Sequence, residues 1–374
     1  MRFTKLDFLF FVWMLVFAGQ TYSQSVEKID WKKDLEYVKN EFPKLHYNLF
    51  LKISQAEFNA NIDDLIALAP KLDDAQIAIR LKQLISKMGD SHTNLSVAKV
   101  FDLNLRLPLK SFWFKEGIFI IGAQHSYQEL NGQQIIAINN IPVKVIADSL
   151  STLTANENTA FHKFMVTDLI TYFSFLQYFE FVKSDSLILE VSNEQGVKSE
   201  HTIHATAEKG EWVTYATKTV PLYQKFRDIY FGEEYNRTDS IYFIQYNDCW
   251  GKELEMKYGN EEKAKGLPSF NEFENRVFNV LQSKPIKKVV VDLRFNKGGA
   301  SYQGTQFIER LSRFREINQK GKIYVVVGRE TFSSAIINVM DFKRLTSAIF
   351  VGEETSVSPI IWVKFRESNC LHQI

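Results

Sequence analysis

The sequence of 374 residues contains only two cysteines, Cys249 and Cys370, and no CxxC pair or Cys/His cluster. Two cysteines exclude a disulfide framework, and the missing ligand spacing argues against a zinc site. His201 and His204 fall in an alternating, strand-like stretch, where residues three apart point to opposite faces of a sheet. We therefore expect neither a metal ion nor another cofactor.

An excess of charge of one sign is also missing, because 45 Lys and Arg offset 44 Asp and Glu to a formal net charge of +1. This balance gives the chain no electrostatic basis for capturing nucleic acid. Apolar residues at 45% and charged residues at 24% exclude a disordered chain. The length allows two or three globular domains.

Long apolar runs are missing beyond the first 23 residues. There, Arg2 and Lys5 precede an apolar run over residues 8–18, and small and polar residues follow up to Ser23. This order is typical of a secretory signal peptide, 1–23, and the run is short for a membrane span of about 20 residues. We predict a secreted or periplasmic protein with no stable membrane span after signal cleavage. An uncleaved signal that anchors the chain is the alternative.

Residues 24–103 have the pattern of a helical region. Apolar residues at helical spacing follow Asp30, Ser54 and either Asp73 or Asp74, whose side chains can cap helix N-termini. A polar loop, GDSHT, comes directly after the third predicted helix and contains His92. The local sequence leaves open whether this histidine is catalytic or a surface residue.

Residues 104–205 combine short strand-like runs with one aromatic helical stretch. Asn139 and Asn140 separate a predicted strand from a predicted helix, which indicates a turn. The aromatic residues of 161–181 are interrupted too often by charged and polar residues for a membrane span. We predict that they belong to a hydrophobic core.

The strongest pattern lies in residues 287–357. Three short apolar runs, Val289–Val291, Ile323–Val327 and Ala348–Val351, alternate with helical patterns, which predicts parallel β/α pairing. The loops after the first two runs fall at the carboxyl ends of strands, where ligands bind in open α/β sheets.

These two loops contain the residue types of an acyl-transfer site. Gly298 and Gly299 can leave backbone N–H groups unobstructed, and Ser333 and Ser334 lie at a predicted helix start. A serine opposite a diglycine loop suits a nucleophile that faces an oxyanion hole. The serines could equally cap the helix and the glycines form an ordinary turn, and this stretch alone does not decide.

Five segments together resemble the tail-specific, or carboxyl-terminal processing, serine peptidases and their tricorn-like branch. They follow that family's order and are GDSHT from Gly89, LNGQQIIAINNIPV from Leu130, VVDLRFNKGG from Val290, TFSSA from Thr331 and VGEET from Val351. The resemblance implies an α/β fold with a crotonase-like β/α spiral catalytic core over 206–374. It also implies a degenerate PDZ-like α+β module over 104–205 and a helical N-terminal region, 24–103, that contains the base.

The resemblance also implies the roles of single residues. Ser333 matches the nucleophile, and the N–H groups of Ser334 and of Gly298 or Gly299 match the oxyanion hole. One branch of the family uses a lysine base about 25 residues after the nucleophile, but Ser358 occupies that position here.

The tricorn-like branch instead uses a histidine preceded by a serine, which implies His92 as general base and Ser91 as a residue that orients it or relays a proton. Histidine suits proton transfer near neutral pH.

The implied function is a secreted serine endopeptidase that acts on peptides or unfolded proteins. The sequence after Ser358 is unlike the family's continuation and offers no clear counterpart for its downstream carboxylate. We therefore expect a truncated or frame-shifted C-terminus. A catalytically inactive, peptide-binding scaffold is the alternative function, and a generic extracytoplasmic binding protein would require the motif order to be coincidental.

Overall fold

A computed structural model describes residues 29–155, 157–215 and 220–357. The predicted signal peptide, the tail beyond Val357 and Cys370 all lie outside the described residues. Within the described ranges, no helix is both long and apolar enough to cross a membrane.

Three helices begin the described chain, and the predicted N-caps are confirmed. Their bounds are α1 Trp31–Leu45, α2 Gln55–Leu68 and α3 Asp74–Lys87, with a 3-10 turn at Ala69–Lys71. Asp30, Ser54 and Asp73 each accept a hydrogen bond from the backbone N–H three residues later. Gly89, with a φ of +74°, follows α3 and turns the chain into the loop that contains His92.

An antiparallel sheet follows. Its strands are β1 Leu109–Trp113, β2 Ile118–Gln124, β3 Gln134–Ile138, β4 Ile141–Pro142, β5 Ser186–Ser192, β6 Lys198–His204 and β7 Trp212–Thr214, and a 3-10 helix spans His125–Leu130. The order is β1-β2-β3-β5-β6, with β4 on β3 and β7 on β2. Asn139 and Asn140 both have positive φ and form the predicted turn, between β3 and β4.

The helices beside this sheet share one hydrophobic core with it. They are α4 Val143–Ser151, α5 Thr159–Leu169 and α6 Phe173–Tyr178. The predicted aromatic stretch is divided between α5 and α6, and its residues Phe173 and Phe175 are buried. The core extends from Trp31 in α1 to Ile203 in β6.

A second, largely parallel sheet has its own core. Its strands are β8 Phe231–Asn236, β9 Ile241–Tyr246, β10 Lys288–Asp292, β11 Ile323–Val327 and β12 Ile349–Gly352. The order is β12-β11-β10-β9-β8, and only β8 pairs antiparallel among them. The helices are α7 Leu222–Lys225, α8 Lys252–Tyr258, α9 Glu261–Lys265, α10 Phe270–Ser283, α11 Ser301–Ser312 and α12 Ser334–Leu345. The predicted parallel β/α pairing is confirmed, and the chain is a mixed α/β protein with two sheets.

Helices α11 and α12 touch closely because one of them has a glycine at the contact. A methyl group on Gly304 would lie 2.3 Å from Oδ1 of Asn338. Asn338 is fully buried, and its Nδ2 donates to the carbonyl of Ser301 at 2.9 Å. The amide therefore has no free direction in which to yield.

We expect Gly304→Ala to lower the free energy of unfolding by about 1–3 kcal/mol through overpacking, although alanine favours helices. Urea denaturation measures this change. The matched control is Gly266→Ala, where the nearest atom lies 3.7 Å from the added carbon and we expect a change within about 0.5 kcal/mol. Equal stability of Gly304→Ala and the wild type would contradict the packing argument.

Asp248 lies just beyond the end of β9 and is partly buried. Burial raises the pKa of this carboxyl to about 6, and a hydrogen bond with the backbone of Trp250 opposes the increase. A raised carboxyl pKa means that the fold favours the protonated form. The contribution of the protonated Asp248 to the free energy of unfolding is fully present below the unfolded pKa of about 4 and is lost as the pH rises through 6.

Asp248→Asn should therefore raise the free energy of unfolding at pH 7.5 by about 1–2 kcal/mol, after allowance for partial exposure, and leave it unchanged at pH 4. Urea denaturation of variant and wild type at both pH values checks this. Asp185→Asn, at an exposed position, is the control and should change little at either pH. An equal gain at both pH values would show that the charge is not the cause.

Candidate active site

Two loops meet at the carboxyl edge of the parallel sheet: the glycine loop, residues 293–300, after β10, and the serine loop, residues 328–333, after β11. The hydroxyl of Thr331 donates to the carbonyl of Leu293 at 2.8 Å and accepts the N–H of Gly328 at 3.0 Å. The N–H of Phe332 donates to the carbonyl of Asn296 at 2.9 Å. These bonds tie the two loops to each other.

Asn296 supports the glycine loop from beneath. Its side chain is fully buried, and Nδ2 donates to the carbonyl of Tyr246 at 2.9 Å, while Oδ1 accepts the N–H of Gly298 at 2.9 Å. The thiol of Cys249 also contacts Oδ1, at 3.3 Å. Burial raises the pKa of the Cys249 thiol to about 12, so this cysteine stays protonated and is no nucleophile.

The glycine loop approaches the serine loop more closely than any side chain would allow. Gly298 has a φ of +102°, and a Cβ on it would lie 2.7 Å from Cβ of Ser333 and 2.9 Å from the backbone nitrogen of Ser334. The sequence thus needs glycine at position 298 for both conformation and space.

Ser333 has a strained backbone and does not cap its helix. Its φ is +53° and its ψ is −126°, and its side chain makes no capping hydrogen bond to α12. Instead, Oγ lies 3.0 Å from Nε2 of His92, 241 residues away in the sequence. Strain of this kind persists where the surroundings impose it, and it is concentrated at functional sites. The capping alternative is therefore excluded for Ser333.

The ring of His92 is held by aromatic stacking. It lies parallel to the ring of Phe332, with centroids 4.6 Å apart and an interplanar angle of 16°. Phe332 stacks in turn on Phe161 of α5, at 5.9 Å. The three rings bring the helical region, α5 and the serine loop together at one point.

Carboxylates surround the loop that contains His92. Asp90 Oδ1 accepts the backbone N–H of His92 at 2.9 Å and lies 3.8 Å from its Nδ1. Glu157 accepts the backbone N–H of Ser91 at 3.1 Å. The hydroxyl of Ser91 is buried and has no hydrogen-bond partner among the described residues, so the structure does not connect it to His92.

Two backbone N–H groups in the glycine and serine loops and the following helix start have no hydrogen-bond partner among the described residues. The N–H of Gly298 is already bound to Asn296, whereas those of Gly299 and Ser334 make no hydrogen bond within the described residues. The hydroxyl of Ser334 donates to the carbonyl of Gly299 at 2.7 Å.

The structure thus brings Ser333 and His92 together and places Gly298, Gly299 and Ser334 beside them. Asp90, two residues before His92 in the GDSHT motif, could have been found from sequence as a short-range carboxylate. No local sequence signal identifies Phe161. In the described part of the chain, no cluster of three or more His, Cys, Asp or Glu could hold a metal ion.

Comparison with known proteins gives matches at the level of structure only. No protein-family model and no curated protein sequence matches the chain. The structure of mature CPAF complexed with lactacystin aligns with a TM-score of 0.59 and 11% identity, over 87% of this chain and 84% of the other. A second structure of mature CPAF gives a TM-score of 0.57 at the same identity, over 87% and 83% of the two chains.

The photosystem II D1 C-terminal processing protease also aligns, with 10% identity over 88% of this chain and 82% of its own, at a TM-score of 0.38. At such low identities the alignments report on fold and not on chemistry. The chain therefore has the fold of mature CPAF.

Proposed function

We propose that this chain is a serine peptidase that hydrolyses peptide bonds in peptides or unfolded proteins, with Ser333 as nucleophile and His92 as base. The observation that supports this most strongly is the 3.0 Å contact between Ser333 Oγ and His92 Nε2. A nucleophile within hydrogen-bonding distance of a base is the signature of covalent catalysis by serine.

The proposed reaction begins when Nε2 of His92 takes the hydroxyl proton of Ser333 as Oγ attacks the scissile carbonyl carbon. The C–N bond then breaks, and the proton passes from His92 to the departing amine. Water attacks the resulting ester with His92 again as base, which releases the acid and restores the serine.

The oxyanion of the tetrahedral intermediate requires donors that are free before the reaction. We assign this role to the N–H groups of Gly299 and Ser334, because Asn296 already occupies the N–H of Gly298. Gly298 then serves a different purpose, which is to let the glycine loop approach Ser333. Removing one such donor typically lowers kcat by about 100- to 1,000-fold.

Ser333→Ala and His92→Gln should each abolish hydrolysis of fluorescein-labelled casein, because the serine and its base act as one unit. Ser334→Ala is the matched control: it keeps the backbone N–H and removes only a hydroxyl, so we expect much smaller losses. Release of fluorescent peptides measures the rates, and thermal melting confirms that each variant is folded.

Loss of activity in Ser334→Ala but not in Ser333→Ala would move the nucleophile by one residue. A folded wild-type protein that binds casein without cleaving it would favour the inactive scaffold. Activity that survives in His92→Gln would remove the histidine from the role of base.

Gly298→Ala should lower casein hydrolysis by at least about 100-fold, because the added carbon would displace the donors of the oxyanion hole from Ser333. Gly196→Ala is the control, since Gly196 also has positive φ but no atom lies within 4 Å of its added carbon. That variant should lose some stability and keep its activity. Full activity of Gly298→Ala would contradict the need for close approach.

A further inference from the structure

Asp90 is surrounded by hydrogen-bond donors that come from three directions. Its Oδ1 accepts the backbone N–H of His92 at 2.9 Å, and its Oδ2 accepts the hydroxyl of Thr93 at 2.7 Å. Nε2 of His46 lies 3.0 Å from the same Oδ2. The carboxylate is thus fixed in the loop that contains His92.

The tautomer of His46 follows from its other ring nitrogen. Nδ1 of His46 accepts the backbone N–H of Asn48 at 3.1 Å, so the hydrogen of the neutral ring is on Nε2. Nε2–H can then donate to Asp90 and to the hydroxyl oxygen of Thr93, which is 2.8 Å away. His46 is therefore a donor to the carboxylate.

These contacts keep Asp90 ionised. Partial burial alone would raise the pKa of Asp90, but the hydrogen bonds from His46, Thr93 and the backbone of His92 outweigh it and hold the pKa well below the usual carboxyl range. A negative charge therefore faces Nδ1 of His92 at 3.8 Å at every pH at which the enzyme would work.

We propose that Asp90 is the positioning residue that favours the Nδ1–H form of His92 and stabilises the imidazolium formed during acylation, with His46 and Thr93 fixing the carboxylate. This role rests on the proposed function, because it acts only through His92.

Other groups around His92 do not offer this charge. Phe332 covers one face of the ring and Ser333 contacts Nε2. Glu157 is bound to the backbone of the neighbouring Ser91, and His46 contacts Asp90 and Thr93. Among the described residues, Asp90 is thus the only carboxylate within 4 Å of a ring nitrogen of His92.

Hydrolysis of p-nitrophenyl acetate between pH 5 and 9 tests this role, because the ester reports acylation without knowledge of the peptide substrate. Asp90→Asn should lower kcat/KM at pH 8 by at least about 100-fold. The acid limb of its pH profile should also move to lower pH, because the imidazolium loses a neighbouring negative charge. Asp90→Glu should restore part of the rate and the wild-type acid limb.

Two further variants separate the effect of the Asp90 charge from the effect of the hydrogen bonds in its loop. Thr93→Val removes one donor and keeps the carboxylate, so we expect a loss of about 10-fold or less with the acid limb in place. Glu157→Gln removes a nearby charge that does not contact the ring and should also leave the acid limb in place. If Asp90→Asn fails to fold, Asp90→Glu and Thr93→Val still separate the two roles of Asp90, which are the charge beside His92 and the hydrogen bonds within the loop.

A folded Asp90→Asn with the wild-type rate and acid limb would overturn this inference, as would a shift of the acid limb in Thr93→Val equal to that expected for Asp90→Asn. Ser333→Ala separates a failure of the role of Asp90 from a failure of the proposed function. Hydrolysis that depends on Ser333 but not on Asp90 removes only the role of Asp90. Hydrolysis that does not depend on Ser333 removes the proposed function, and the role of Asp90 with it.

Discussion

The contact between His92 and Ser333 joins two parts of the chain that have separate hydrophobic cores. His92 follows α3, which packs in the first core, and Ser333 precedes α12, which packs in the second. Arg329 is one connection between them: its buried guanidinium donates to the carbonyl of Trp113 in β1, pairs with Glu353 and lies 4.1 Å from the ring of Phe112. Charge-assisted bonds of this kind combine strength with direction. Because Arg329 lies in the serine loop itself, its side-chain contacts link this loop to β1.

A second constraint is the strain that the serine loop must accept. Positive φ at Ser333 costs free energy, and the structure offsets it with bonds that leave the loop few alternatives. Thr331 is fully buried between the two loops, and Phe332 lies between two aromatic rings. The conformation of Ser333 therefore lowers the stability of the loop, as expected for a preorganised site. The glycine loop contributes to the site through the absence of a side chain at Gly298, which lets the loop approach Ser333 closely.

Features that depend on neighbouring residues could be predicted from the sequence. The caps at Asp30 and Ser54 follow from local hydrogen bonding, and the parallel strands follow from β-branched runs between helical patterns. Features that depend on distant contacts could not. The proposed assignment of the oxyanion donor to Gly299 instead of Gly298 rests on the hydrogen bond of Gly298 to Asn296, whose buried side chain is bonded in turn to Tyr246. The resemblance suggested Ser91 as the partner of His92, whereas in the structure Ser91 Oγ has no hydrogen-bond partner among the described residues and Oδ1 of Asp90 lies 3.8 Å from Nδ1 of His92.

Reaction with a fluorophosphonate probe decides whether Ser333 is an activated nucleophile. The probe forms a stable bond only with a serine whose proton is removed by a positioned base. Mass spectrometry of the digested, purified protein then identifies the labelled residue. We predict a single label on Ser333, and no label when His92 is replaced. A label on another residue, or no label on a fully folded chain, would contradict it.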